Sequence, residues 1–87
     1  MIDVGYRNFV DEKRIRSLHK PETTRGKWLR KEAVSGQCLI DCTQGRKTNS
    51  IIRLGSGHVV LSTAKLSSIL KKIEDSGVVL RRKKTLS

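Results

Sequence analysis

The segment GRKT, residues 45 to 48, combines residue types that bind phosphate groups. Gly45 allows the chain to reverse, and Thr48 adds a neutral hydrogen-bond donor beside the cations Arg46 and Lys47. The turn lies between two apolar runs, so we expect it to project from the folded protein. These residues predict a phosphate-binding turn, whose phosphate belongs either to a nucleotide or to a nucleic-acid backbone.

A nucleotide-binding loop of the Walker A type needs the pattern GxxxxGK[ST] with a helix directly after it. Here Ile40 stands where the first glycine belongs, and Arg46 separates the second glycine from the lysine. The run that follows, SIIRL, is typical of a strand rather than a helix. The sequence therefore does not support a nucleotide-hydrolysing loop.

The acidic residues, eight in all, are scattered along the chain. Asp41 lies inside a strand-like run, where it either pairs with Arg46 or Lys47 or caps the following turn through its side chain. His58 follows a glycine turn and is interpreted as a hairpin residue, whereas His19 is interpreted as a loop residue beside a proline. Because no nucleophile, base and orienting group have an interpretable spacing, we predict that the protein is not an enzyme and has no small-molecule substrate.

The spacing of the two cysteines gives no indication of a metal site, and we predict that the protein has no cofactor. Cys38 and Cys42 are four residues apart, about 13 Å in an extended strand, which is too far for a disulfide. They lack C-x-x-C spacing, and neither histidine is at zinc-finger spacing from them. We expect two reduced, packed cysteines.

The protein is strongly basic, with a net charge of +11 from 19 lysines and arginines against eight acids. Without the terminal RRKK, residues 81 to 84, the net charge is still +7. Such an excess of positive charge favours an anionic partner, either nucleic acid or an anionic membrane surface. No apolar stretch reaches the roughly 18 residues that span a bilayer, and no signal peptide is evident, so we predict a cytoplasmic protein.

The hydrophobic pattern predicts an α+β fold with a small antiparallel sheet and two helices, in the order β-β-α-β-β-β-α. The first helix begins at Thr23 or Thr24 and ends at Gly36, and the second ends near residues 76 to 77. The motif GSG, residues 55 to 57, predicts a hairpin between two apolar runs. We expect one domain at residues 1–76, followed by a flexible basic tail at residues 77–87.

Particular residues carry the expected faces of these elements. Gly5 predicts a bulge or tight bend in the first strand, MIDVGYRNFV. One side of the first helix is expected to hold Trp28, Leu29 and Ala33. One face of the strand QCLIDCT is expected to hold Cys38, Ile40 and Cys42. The second helix has an i, i+3, i+4, i+7 apolar stripe of Leu66, Ile69, Leu70 and Ile73.

Three segments resemble one family of small bacterial regulators. The segments VGYRNFV, LIDCTQGRKTNSII and SGHVVLS are similar to those of the RemA-type extracellular-matrix regulators, in the same order, from residue 4 to about residue 75. The resemblance implies a DNA-binding transcriptional regulator without enzyme activity, associated with the nucleoid. It also implies a LytTR-like protomer in a ring-shaped homo-oligomer of about seven or eight subunits.

The resemblance also implies DNA-contacting residues. The arginine pair of the family falls on Arg46 and Lys47, and a further arginine falls on Arg14. Lysine at position 47 retains the charge but lacks the bidentate fork, which favours contact with phosphate over contact with a guanine edge. Thr48 is expected to assist, with Gly45 supporting the turn. Auxiliary contacts are expected from Arg16, Arg81 and Arg82.

A lone protomer with two or three phosphate contacts is expected to bind DNA weakly. Repetition of the turn around a ring adds avidity, and DNA that follows the ring would bend or wrap. The alternative prediction from charge is an RNA-binding or ribosome-associated protein, although only three aromatic residues are available for stacking on bases. A third class is an assembly scaffold whose tail contacts anionic membrane.

Overall fold

Six short strands and two helices form residues 1–77, the part of the chain that the computed structural model describes. The strands are β1 (Ile2–Asp3), β2 (Phe9–Val10), β3 (Ile15–His19), β4 (Leu39–Asp41), β5 (Ser50–Leu54) and β6 (Val59–Ser62), and the helices are α1 (Thr24–Ser35) and α2 (Leu66–Ser76). The α+β prediction is confirmed, although the first predicted strand is in fact the hairpin β1–β2. A 3₁₀ turn, Glu12–Arg14, leads into β3.

The predicted bend at Gly5 is the turn of this hairpin. The amide of Asn8 donates to the carbonyl of Gly5 at 3.0 Å, and Tyr6 and Arg7 between them both have positive φ. Gly5 itself has a φ of +118°, and a Cβ at this position would lie 2.5 Å from Oγ1 of Thr63. Glycine is therefore required both by the backbone conformation and by close packing against the segment before α2.

The central sheet has the strand order β3-β5-β6-β4. The pairs β3–β5 and β5–β6 are antiparallel, as predicted, and β5–β6 is the hairpin expected around residues 55 to 57. The prediction of an antiparallel sheet is wrong for β4, which pairs in parallel with β6. The chain leaves β4, passes over the end of β6 and enters β5 on the far side, so the segment 42–49 spans two strand spacings, roughly 9–10 Å.

The two faces of this sheet are covered by different elements. Helix α1 packs on one face, where a cluster of buried residues comprises Leu29, Ala33, Ile51, Val59 and Leu61. Helix α2 and the β1–β2 hairpin pack on the other face, with a cluster of Ile2, Val4, Val10, Ile15, Leu18, Cys42, Ile52, Val60, Leu66, Ile69 and Ile73. Burial on both faces explains why β5 and β6 are apolar runs rather than strictly alternating strands.

The helix ends agree with the predicted caps. Thr23 caps α1 by accepting a hydrogen bond from the amide of Gly26, and Gly36 follows its last residue. Gly77, with a φ of +81°, follows α2, whose predicted apolar stripe is buried except for the half-buried Leu70. Trp28 lies on the same side of α1 as Leu29 and Ala33, with which it lines a surface pocket, but its side chain is 48% exposed while the other two are buried.

Two further predictions need correction. Ile40 is 41% exposed because β4 is a three-residue edge strand, and only Cys42 of the predicted buried face is fully buried. His19 is not a loop residue: it ends β3, is 6% exposed, and its Nε2 lies 2.8 Å from Oγ of Ser17.

The predicted tail lies outside the described residues except for Gly77. Within residues 1–77, no helix has the length and apolar character to span a membrane.

Candidate nucleic-acid interface

The GRKT segment lies in the connection between β4 and β5, which we call the basic loop (residues 42–49). The amide of Arg46 donates to the carbonyl of Thr43 at 3.0 Å, and the two residues between them, Gln44 and Gly45, have φ of 51° and 80°. Positive φ at both central positions is typical of a type I′ turn. Gly45 therefore supports the turn as predicted, whereas Gln44 adopts a conformation that non-glycine residues rarely occupy.

Asp41 fixes the first half of the basic loop. Its Oδ1 accepts hydrogen bonds from the backbone amide of Thr43 at 2.9 Å and from the hydroxyl of Thr43 at 2.5 Å. Of the two roles predicted for Asp41, capping the turn is thus the one observed. The hydroxyl hydrogen bond from Thr43, followed by its amide hydrogen bond, lowers the pKa of the Asp41 carboxyl, and the charge of Arg30 adds to this effect.

The second half of the basic loop is fixed to the segment after β6. The side-chain amide of Asn49 donates to the carbonyl of Thr63, and its backbone amide donates to the carbonyl of Ser62, both at 2.8 Å. The hydroxyl of Ser50 donates to the carbonyl of Ala64 at 2.8 Å. The loop is therefore held at both ends by hydrogen bonds, and its backbone conformation is defined over the end of β6.

The cations of the basic loop have no acidic partner among residues 1–77. Arg46 and Lys47 are both exposed, and neither forms an ion pair with a described residue. Thr48, beside them, is half-buried. A fixed backbone thus presents two unneutralised positive charges and a hydroxyl to solvent, which suits contact with phosphate oxygens.

Lys20 and Lys65, which belong to no recognisable sequence motif, lie near this loop. A surface cleft is lined by Lys20 from the β3–α1 connection, by Lys47 and Thr48, and by Lys65 at the start of α2. Glu22 also lines the cleft and reduces its positive charge. The three lysines are far apart in sequence, and only the tertiary structure places them around one cleft.

The position of Lys20 depends on Gly26 of α1. A Cβ at Gly26 would clash with the carbonyl oxygen of Lys20, so the helix packs directly on this backbone group. The hydroxyl of Thr23 also donates to the same carbonyl at 2.8 Å. A glycine near a helix start, which lowers helix propensity, is therefore explained by a close backbone approach.

Arg14 and Arg16 lie at the opposite end of the central sheet, beside the β5–β6 turn, which we call the glycine turn (residues 55–58). The amide of Gly55 donates to the carbonyl of Arg14 at 2.8 Å, and Arg16 lines a pocket together with Gly55. Because β5 runs the length of the sheet between the glycine turn and the basic loop, the two groups are separated by about 13 Å or more. The structure does not bring Arg14 and Arg16 together with Arg46 and Lys47, and Arg81 and Arg82 lie outside the described residues.

Residues 1–77 contain no group of three or more histidine, cysteine or acidic side chains that could hold a metal ion. Cys38 and Cys42 are both free. Burial raises the pKa of the Cys42 thiol, and the charge of Asp41 raises it further, so that thiol is a poor nucleophile. His58 is exposed before β6, with Nδ1 2.9 Å from Oγ of Ser56, in agreement with its interpretation as a hairpin residue.

A family model described as extracellular matrix regulatory protein A-like matches residues 1–73. The match covers all strands of the central sheet, helix α1 and most of helix α2, and it includes the basic loop and the glycine turn. The chain belongs to the RemA-like family, as the sequence resemblance implied.

Similar proteins from three bacteria are named as regulatory proteins. The protein of Oleidesulfovibrio alaskensis is 42% identical over 69 residues, 79% of this chain and 82% of the relative. That of Leptospira biflexa is 39% identical over 74 residues, 85% of this chain and 79% of the relative. That of Thermodesulfovibrio yellowstonii is 36% identical over 75 residues, 86% of this chain and 88% of the relative.

Proposed function

We propose that the protein is a DNA-binding transcriptional regulator that acts as a homo-oligomer on the bacterial nucleoid, in the cytoplasm. The basic loop contacts the phosphate backbone through Arg46 and Lys47, with Thr48 as a neutral donor. Lys20 and Lys65 extend the same positive surface. The regulatory names of the relatives and the chain's membership of the RemA-like family support the regulatory role.

The observation that carries this proposal is the combination of a fixed loop backbone with unneutralised cations. Arg46 and Lys47 lie between Asp41, which caps one half of the loop, and Asn49, which anchors the other. A fixed backbone lowers the entropy cost of contacting DNA, because only the side chains must be ordered.

The small number of contacts that one protomer offers supports the proposal of a homo-oligomer. The loop and its cleft supply about four cations. Non-specific DNA complexes, which depend on such phosphate contacts, typically have a Kd of only about 10⁻⁴ to 10⁻⁶ M at physiological salt, so a single protomer is expected to bind weakly. Repeating the loop around a closed ring makes each later contact intramolecular and raises affinity without new residues. DNA that follows such a ring must bend, so sequence preference arises partly from the deformability of the duplex.

A second candidate function, single-stranded RNA binding, is favoured by one observation. All three aromatic side chains, Tyr6, Phe9 and Trp28, are about half exposed and therefore accessible to bases. The guanidinium of Arg25 lies 4.9 Å from the ring centroid of Trp28 and already covers part of that ring. The same binding assay separates the two functions, because stacking favours single strands whereas backbone contacts alone favour the higher charge density of a duplex.

The test measures binding of the full chain to a labelled duplex and to a single-stranded RNA of equal length, over a range of salt concentrations. We expect tighter binding to the duplex and an affinity that falls steeply with salt. Arg46→Ala should weaken duplex binding about tenfold or more, because the substitution removes a phosphate contact from every bound protomer. Lys31→Ala, which removes an exposed charge from α1, is the matched control, and native mass spectrometry verifies that each variant keeps the oligomeric state of the wild type. Duplex binding that is equal for the wild type and Arg46→Ala would reject the proposed interface.

A further inference from the structure

Two arginines line a second basic pocket at the glycine-turn end of the central sheet. The pocket is formed by Arg16 on β3, Arg53 on β5 and the backbone of residues 54 to 57. Arg16 is exposed and Arg53 is half-buried. This pocket contains no residue of the basic loop or of its lysine cleft, so it is a separate positive site on the same protomer.

A β-bulge places Arg16 in this pocket. In the β3–β5 pair, Ile15 is opposite Leu54 and Ser17 is opposite Arg53, which leaves Arg16 as the extra residue. The bulge explains why Ile15 and Leu18, three positions apart, both lie in the core beneath α2. Bulges redirect side chains and are common beside functional sites, and here the bulge directs the Arg16 guanidinium toward the glycine turn.

The pocket concentrates positive charge that no described residue neutralises. Neither Arg16 nor Arg53 forms an ion pair within residues 1–77, and like charges that line one pocket repel each other. Arg14, close by, differs because its Nε lies 3.9 Å from Oδ2 of Asp11. An anion between Arg16 and Arg53 would relieve their repulsion, and the planar forks of two guanidinium groups match the oxygens of a phosphate.

Glycine leaves the entrance of this pocket open. Gly57 has a φ of +96°, and a Cβ at this position would meet no heavy atom within 4 Å. At Gly55 a Cβ would lie 3.8 Å from Nη2 of Arg16. A phosphate group can therefore approach the backbone of the turn as well as the two guanidinium groups.

We propose that the pocket of Arg16 and Arg53 binds the phosphate backbone of a second DNA segment, so that the oligomer bridges two stretches of duplex. The proposal rests on the proposed function, since the basic loop holds the first stretch. The two sites lie at opposite ends of β5, and the described residues measure 33 × 27 × 22 Å along their principal axes. The pocket and the basic loop face away from each other at the two ends of the sheet, so a straight duplex that lies across one end leaves the other end open to a second stretch.

The test captures one duplex with another. A biotinylated duplex on beads is saturated with the full-length protein, and retention of a second, fluorescent duplex is measured. We expect the wild type to retain the second duplex, and the double variant R16Q/R53Q to lower this retention about tenfold, with a far smaller change in affinity for the first duplex. Arg16→Gln alone, at an exposed side chain, gives a smaller reduction in the same direction and serves if the double variant does not fold. The matched control is K31Q/K71Q, which removes the same charge from exposed positions of the two helices.

The remaining outcomes overturn the bridging proposal in different ways. Retention of the second duplex by R16Q/R53Q at the wild-type level means that the basic loops alone hold both duplexes. An equal reduction for both duplexes means that the pocket and the loop contact the same stretch of DNA. Absence of retention by a wild type that binds the first duplex rejects bridging while the proposed function stands, whereas failure to bind the first duplex rejects the proposed function itself.

Discussion

The two basic ends of the central sheet differ in how their charges are supported. At the loop end, Asp41 accepts hydrogen bonds from Thr43 and Asn49 donates to the segment after β6, which fixes the backbone, and Arg46 and Lys47 form no ion pair among residues 1–77. At the glycine-turn end, the backbone reverses through Gly55 and Gly57, and Arg14 is close to the carboxylate of Asp11. Arg14 and Arg46 carry the same formal charge, but only Arg14 has a carboxylate nearby in the described part of the chain, so Arg46 is the more available of the two to phosphate.

The largest expected effect is a difference in duplex affinity between single arginine substitutions at the two ends of the sheet. Arg46→Ala should weaken duplex binding about tenfold or more, whereas Arg14→Ala should weaken it about threefold or less, because Asp11 already screens part of the Arg14 charge. Fluorescence anisotropy at one fixed salt concentration measures both affinities. Equal reductions for the two variants would show that the two ends contribute alike to the first duplex.

The next effect tests the tight packing behind Lys20. Gly26→Ala should lower the free energy of unfolding by about 1–3 kcal/mol, because the added methyl group meets the Lys20 carbonyl and outweighs the gain in helix propensity. Denaturant unfolding measures this change. Lys27→Ala, at the next and exposed position of the same helix turn, is the control and should be nearly neutral. A Gly26→Ala variant as stable as this control would show that the packing relaxes without cost.

A smaller effect is expected from removal of the cap on the basic loop. Asp41→Ala removes both hydrogen bonds to Thr43, and at this exposed site we expect the free energy of unfolding to fall by about 0.5–1 kcal/mol. Duplex affinity should fall with it, because Arg46 is then presented by a less ordered loop. Asp75→Ala, which removes an exposed carboxylate from α2, is the comparison. Unchanged DNA affinity in Asp41→Ala would mean that loop order does not matter for binding.

The smallest effect is the pH dependence of that cap. Because the folded-state pKa of Asp41 is lowered by its hydrogen bonds from Thr43, the carboxylate stabilises the fold at pH values above its unfolded pKa. This contribution disappears as the pH falls through the lowered folded-state pKa. The stability difference between wild type and Asp41→Ala should therefore be constant near neutral pH and shrink in acid. A difference that grows on acidification would contradict the assigned sign.

The sequence predicts the helices well because their signals are local. The boundaries of α1 follow from Thr23 and Gly36, and the stripe of Leu66, Ile69 and Ile73 identifies the buried side of α2. The same local reasoning predicts the β5–β6 hairpin from its glycines. The orientation of β4 could not be predicted, because three residues at an edge contain no information about the strand with which they pair.

The candidate site was predictable only in part. The basic loop follows from GRKT, and its turn follows from Gly45, whereas Lys20 and Lys65 have no sequence signal because only tertiary packing brings them to Lys47. The uneven spacing of Ile15 and Leu18 was a visible trace of the bulge at Arg16. That Arg14 and Arg46 lie at opposite ends of the sheet depends on strand order, which neither residue encodes locally.

The most direct test of DNA-backbone recognition by this protein is to measure how many phosphate groups the basic loop contacts. This number is measured as the slope of log binding constant against log salt for one duplex, with wild type, R46A/K47A and the control K31A/K71A. We predict that R46A/K47A flattens the slope by about 0.9 for each phosphate that the variant no longer neutralises, while the control keeps the wild-type slope. A slope for R46A/K47A equal to that of the wild type, in oligomers of the same size, would contradict recognition through the basic loop.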